Sequence, residues 1–180
     1  EVASTTNEIL LIHHLIDKEQ DKNKKLYLIN QELEQIRTTV FRQLMFAEFE
    51  KKAHELIEAG NSLTAKEFSE LWHELNVKYF GPEMVVDEEV DMEWSRIPHF
   101  YRDFYVYQYA TGYSAASAFA TSILNKEEDA LSQYKKFLKS GGSDYPIAIL
   151  KNSGVDMMTS GPLDATMERF KELLDMLDEI

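Results

Sequence analysis

Lys24-Lys25-Leu26-Tyr27-Leu28-Ile29-Asn30-Gln31-Glu32-Leu33-Glu34-Gln35-Ile36-Arg37-Thr38-Thr39-Val40-Phe41-Arg42-Gln43-Leu44 opens a run, residues 24–59, that holds neither proline nor glycine and stops at Gly60-Asn61. Leu26, Ile29, Leu33, Ile36, Val40 and Leu44 recur every three or four positions, the period of an amphipathic α-helix. Asp21 and Asn23 are the candidate N-caps. At 1.5 Å per residue this helix spans on the order of 50 Å, more than a small domain needs, so it reads as a scaffold. Heptads are not sustained along it, and no coiled coil is predicted.

The same period extends outward on both sides. Ile9, Leu10, Ile12, Leu15 and Ile16 predict a helix over residues 2–18, giving two helices within residues 1–60. Residues 61–97 hold a capped helix and an acidic loop. Thr64-Ala65-Lys66-Glu67 is a capping box, and Phe68, Leu71, Trp72, Leu75, Tyr79 and Phe80 follow it as far as Gly81-Pro82. No helical period survives over 83–97, where Met84-Val85-Val86 and Trp94 are the expected contacts tying the loop to the body. Residues 98–180 hold a tyrosine-rich helix, further helices near 126–139 and 146–152, and a last one opened by Gly161-Pro162 with proline in its first turn. Strand signals are weak throughout. The expected fold class is all-α, with residues 1–180 forming a single helical domain portion.

Composition narrows the functions. A net charge of −13 argues against broad binding to a phosphate backbone, which needs clustered Lys and Arg, so no nucleic-acid partner is expected. No apolar run approaches the roughly 20 residues needed to cross a bilayer, so no membrane partner is expected either. The absence of cysteine excludes disulfides, thiolate metal sites and a cysteine nucleophile. It also suits a reducing compartment, and the expected location is cytoplasmic. The chain opens at Glu1 without a Met and enters a helical pattern almost at once, which reads as a piece whose upstream part is absent or as a trimmed N-terminus.

Five of the nine tyrosines fall between Ile97 and Tyr113. Pro98 turns Ile97 away from helical geometry, so a helix is predicted to start just after it. On such a helix Tyr101, Tyr105, Tyr109 and Tyr113 climb one face, with His99 near its start. A row of phenols can donate hydrogen bonds to a carbonyl or a developing oxyanion. The bare spacing fits core packing at least as well, although leucine would fill a core without hydroxyls that need partners. Gly112 and the small residues 114–118 would let another helix or a bound chain approach closely, with tight helix packing the plainer reading of the alanines.

No complete catalytic constellation is present. A zinc-peptidase His-Glu-x-x-His needs two histidines one turn apart. His73-Glu74-Leu75-Asn76-Val77 fails at Val77, and His54-Glu55-Leu56-Ile57-Glu58 fails at Glu58. A di-iron bundle would need two Glu-x-x-His units, and only Glu70-Leu71-Trp72-His73 occurs.

Two stretches together resemble a known family. Glu1-Val2-Ala3-Ser4-Thr5-Thr6-Asn7-Glu8 resembles the segment following the zinc motif in oligoendopeptidase F, among the thimet-oligopeptidase-like zinc metallopeptidases. Pro98-His99-Phe100-Tyr101, with Tyr105-Val106-Tyr107-Gln108-Tyr109-Ala110-Thr111-Gly112-Tyr113, resembles that family's substrate-facing segment. The resemblance extends over essentially the whole chain. It implies a zinc endopeptidase that cuts short oligopeptides, with Zn²⁺ held by two histidines of an upstream His-Glu-x-x-His and by a glutamate at the position of Glu1. Glu8, seven residues on and on the same helix face, would orient the zinc motif's side chains. His99, Tyr105 and Tyr113 would be catalytic, stabilising the oxyanion, and Tyr109 would contact substrate. The implied partners are an oligopeptide substrate and the missing N-terminal part of the same enzyme, with self-association of the chain a further possibility. Lacking His-Glu-x-x-His, the chain alone is expected to be inactive. The alternative reading is a non-catalytic helical interaction module whose tyrosine stripe packs against a partner helix.

Overall fold

A computed structural model describes all residues, 1–180. The chain is helical throughout, as the periodicity requires: α1 (Val2–Lys18), α2 (Lys22–Ile36), α3 (Arg42–Glu58), α4 (Ala65–Phe80), α5 (Tyr107–Leu124), α6 (Ala130–Ser140), α7 (Pro146–Asn152) and α8 (Gly161–Glu179). Shorter 3₁₀ turns cover Glu88–Arg96 and Pro98–Tyr101. It forms two compact units, one of Glu1–Arg37 with Thr111–Ile180 and the other of Thr38–Ala110. No helix is long and apolar enough to cross a membrane.

The cap signals act as written. Asp21 Oδ1 accepts from the Lys24 amide at 3.0 Å, which selects Asp21 over Asn23 as the start of α2. Thr64 and Glu67 make the reciprocal box that opens α4, and Gly81, at φ 77°, closes it. The long helix differs from its expected form. It carries one π-helical turn at Arg37–Phe41, where Thr38, Thr39 and Val40 stand in a row. Three consecutive β-branched residues lose side-chain freedom against the preceding turn, which makes this the weakest stretch of the run.

In the first unit α2 packs on both α1 and α8, and α6 packs on α7. Ala115, Phe119, Tyr134, Leu150 and Val155 form one buried cluster there. The small residues of α5 are packed as expected for the alanines, Ala115, Ala116 and Ala120 being fully buried. Gly112 is different, because a Cβ there would meet open space. The unit also buries a charge. Glu32, on the apolar face of α2 between Ile29, Leu33 and Ile36, is 1% exposed. Arg169 of α8 meets it with Nε to Oε1 at 2.9 Å and Nη2 to Oε2 at 2.8 Å, a two-pronged pair.

The second unit packs α3 on α4, and α4 on the Glu88–Arg96 turn. Its core is aromatic: the rings of Phe49 and Trp72 meet edge to face at 5.0 Å, and Phe100 lies 5.4 Å from Phe49. The 83–97 segment was expected to be irregular, yet most of it is a 3₁₀ turn. Trp94 ties it down, its ring tilted against Phe68 with centroids 4.9 Å apart and its indole N–H donating to Ser69 Oγ at 3.2 Å. Val85 does not, being 83% exposed.

Removing one member of a buried pair strands the other charge, whereas removing both does not. Arg169→Met should therefore destabilise the chain by about 3–5 kcal/mol in urea unfolding. The double change Glu32→Met with Arg169→Met should recover most of that loss.

Candidate functional site

The tyrosine segment begins at Ile97, which is extended and buried, and Pro98 starts a single 3₁₀ turn rather than the predicted helix. Phe100 points into the aromatic core of the second unit, and Tyr101 is 87% exposed. The chain then bends. Phe104 takes φ 51°, in the left-handed region that residues with a Cβ avoid. Helix α5 begins only at Tyr107. Tyr101 and Tyr105 are therefore not on the helix that carries Tyr109 and Tyr113, and the predicted four-residue stripe does not exist as one helix face.

The bend nonetheless assembles rings. His99 and Tyr105 stack with centroids 5.9 Å apart and planes 13° apart. Tyr109 meets both edge-on, at 5.9 Å from His99 and 5.6 Å from Tyr105. Its hydroxyl lies 3.3 Å from His99 Nε2. The Arg102 guanidinium sits over the Tyr105 ring at 5.7 Å. His99, Tyr105 and Tyr109 are all partly exposed, so a carbonyl could reach polar groups of this cluster.

Glu1, Glu8 and Tyr113 belong to the other unit. Glu1 is the exposed residue ahead of α1; its carbonyl accepts from Ser4 Oγ and the Thr5 amide at 2.9 Å, and its side chain does not cap the helix. Glu8 is exposed and accepts from Gln35 Nε2 at 3.1 Å. Tyr113 is buried, at 3% exposure. Burial first, then the Glu32 carboxylate, pushes its phenol well above the ordinary value, with Arg169 opposing.

Sequence reasoning missed the charges around it. Besides Glu32, Arg169 reaches Glu172 Oε2 at 3.3 Å, and His13 Nε2 lies 3.9 Å from Glu32 Oε1. The available signal was Glu32 standing inside the apolar stripe of α2, and Arg169 between buried Thr166 and Leu173 on α8. A charge on a buried helix face needs a partner.

Residues 1–169 match peptidase family M3. The chain belongs to this family. Over all 180 residues it is 50% identical to Oligopeptidase PepF of Bacillus subtilis (strain 168), spanning 27% of that protein. It is 41% identical to the plasmid-encoded oligoendopeptidase F of Lactococcus lactis subsp. cremoris, spanning 30% of it. The crystal structure of oligoendopeptidase-F from Enterococcus faecium superposes with a TM-score of 0.94 at 46% identity, over 99% of this chain and 35% of that one. This M3 chain thus corresponds to about a third or less of those relatives. Within it, no group of three or more His, Asp or Glu side chains is arranged to hold a metal ion.

His13 offers a test of the buried charges. Burial first, then Arg169, lowers its pKa below the ordinary 6.5, against the opposing fields of Glu32, Asp17 and Glu172. Below about pH 6.5 the unfolded chain binds a proton that the folded chain refuses, so stability is complete above that pH and falls as the medium acidifies. The urea midpoint should drop between pH 7.5 and 5.5, and His13→Gln should flatten that part of the profile.

Proposed function

We propose that this chain is the part of a zinc endopeptidase for short oligopeptides that presents phenol and imidazole donors to the carbonyl of the scissile bond. The observation that carries the reading is the His99–Tyr105–Tyr109 ring cluster. It holds two hydroxyls and an imidazole, partly exposed, where the bent segment bearing His99 and Tyr105 meets the first turn of α5 bearing Tyr109. Membership of the M3 family and identity to oligopeptidases support it.

In this reading the carbonyl oxygen gains negative charge as the bond is attacked, and Tyr105 donates a hydrogen bond to it; Tyr113, which belongs to the other unit, is taken as a phenol donor in its own right. Each such donor contributes about 3–4 kcal/mol of transition-state stabilisation when it is aimed at the charge before it develops. Tyr113, a neutral phenol whose pKa burial and the Glu32 carboxylate raise further, can act only as a hydroxyl donor. His99 is oriented by the Tyr109 hydroxyl and by stacking on Tyr105, and Tyr109 also lines the path of the peptide.

A bound zinc ion would supply Lewis acidity and an activated water molecule. The residues of this chain do not by themselves make a site for it, since no three ligating side chains converge. Glu1 would contribute one carboxylate, and Glu8, held by Gln35, would orient neighbouring ligands. The chain by itself is accordingly inactive, and its partner in the work is the rest of the same enzyme.

Tyr105→Phe or Tyr113→Phe in the full-length protein should lower kcat by about 10²–10³-fold while KM changes far less. Thermal stability should be nearly unchanged for Tyr105→Phe; equal losses of stability and turnover would mark packing instead. The isolated chain, given zinc and a fluorogenic oligopeptide, should show no turnover. Robust chelator-sensitive cleavage would overturn the division of labour proposed here.

A further inference from the structure

Glu50 is a second carboxyl on a buried helix face, and the charge network of the other unit does not involve it. It stands on α3 among buried Met45, Phe46, Phe49 and Ala53, at 5% exposure. A carboxyl so placed needs a donor, and it finds one 54 residues away: the Phe104 amide donates to Glu50 Oε1 at 2.8 Å. One turn further along α3, the His54 ring packs on the Phe104 ring at 4.7 Å. Helix α3 therefore grips Phe104 by its backbone and by its side chain.

Phe104 is also the residue at φ 51°, a conformation that persists only where the surroundings hold it. On its other side Val106 is fully buried in the aromatic core of the same unit. Tyr105 lies between these two anchors. The direction in which its ring leaves the chain, and so its stack on His99, follows from the bend that the Glu50–Phe104 bond maintains.

We propose that Glu50 is a positioning residue for Tyr105: without touching substrate, it holds the Phe104 backbone in the conformation that aims the Tyr105 hydroxyl. This rests on the role proposed above for Tyr105. What the bond needs is an acceptor oxygen at the right reach, not a charge.

Two conservative variants of the full-length protein separate those needs. Glu50→Gln keeps the reach and an acceptor oxygen, whereas Glu50→Asp keeps the charge but falls one methylene short. Misplacing a reacting group by about 1 Å can cost about 10²-fold, so Glu50→Asp should lower kcat by about 10- to 100-fold with KM little changed, and Glu50→Gln should stay within about threefold of the parent. Hydrogen exchange at the Phe104 amide should quicken in Glu50→Asp and remain slow in Glu50→Gln. In a Tyr105→Phe background, Glu50→Asp should cost little more, because the two changes remove the same donor.

Parental kcat in Glu50→Asp overturns the inference, as does a Glu50→Gln enzyme that is as impaired as Glu50→Asp. Fully additive losses in the double variant also overturn it, by showing a role independent of Tyr105. If Tyr105→Phe alone retains parental turnover, the role of Tyr105 is itself wrong and the inference falls with it. If Tyr105→Phe is impaired and Glu50→Asp is not, only the inference falls.

Discussion

A carboxyl group withdrawn from water must be given hydrogen-bond donors, and in this chain that requirement decides which distant segments meet. Glu32 and Glu50 both lie on buried faces of the helical run that spans α2 and α3. Neither has a satisfying partner nearby in sequence. Glu32 takes the guanidinium of Arg169, 137 residues on, and Glu50 takes the backbone amide of Phe104. Apolar contacts would tolerate a rotation or a slide of one helix on another. A two-pronged ion pair at 2.8–2.9 Å does not, so α8 docks on α2 in one register.

The same requirement reaches the surroundings of two tyrosines. Around Tyr113 burial and then the Glu32 carboxylate raise the phenol's pKa, and Arg169 opposes them. Around Tyr105 the buried acceptor sets geometry instead, since the Phe104 amide it holds precedes the tyrosine by one residue. One buried glutamate lies near a buried phenol, and the other holds the residue that precedes a tyrosine. Both would look like errors in a core judged on hydrophobicity alone.

Much of the architecture was legible in the residues because it is local. The three-and-four spacing of apolar residues, the Thr64–Glu67 box, the Asp21 cap and the Gly81 stop each act within one or two turns, and each appears where it was read. The π turn at Arg37–Phe41 was not predicted, although Thr38-Thr39-Val40 carried its signal. The start of the tyrosine helix was misplaced by about two turns. Pro98 predicts a helix start, but the left-handed Phe104 that delays it has no local signature, because phenylalanine is a poor residue for that conformation.

What the sequence by itself determined is the set of helices, their caps, the acidic and cysteine-free character, and the pair of stretches that carry the family resemblance. These depend on backbone hydrogen bonding and side-chain period over a few residues, which order along the chain records directly. Tertiary structure alone decided that Tyr101 is exposed, that Tyr105 stacks on His99 rather than continuing a stripe, and that Tyr113 is buried beside an ion pair. The same packing brings Glu50 to the Phe104 amide and Arg169 to Glu32. Contacts across 54 and 137 residues are satisfied only once the helices have packed.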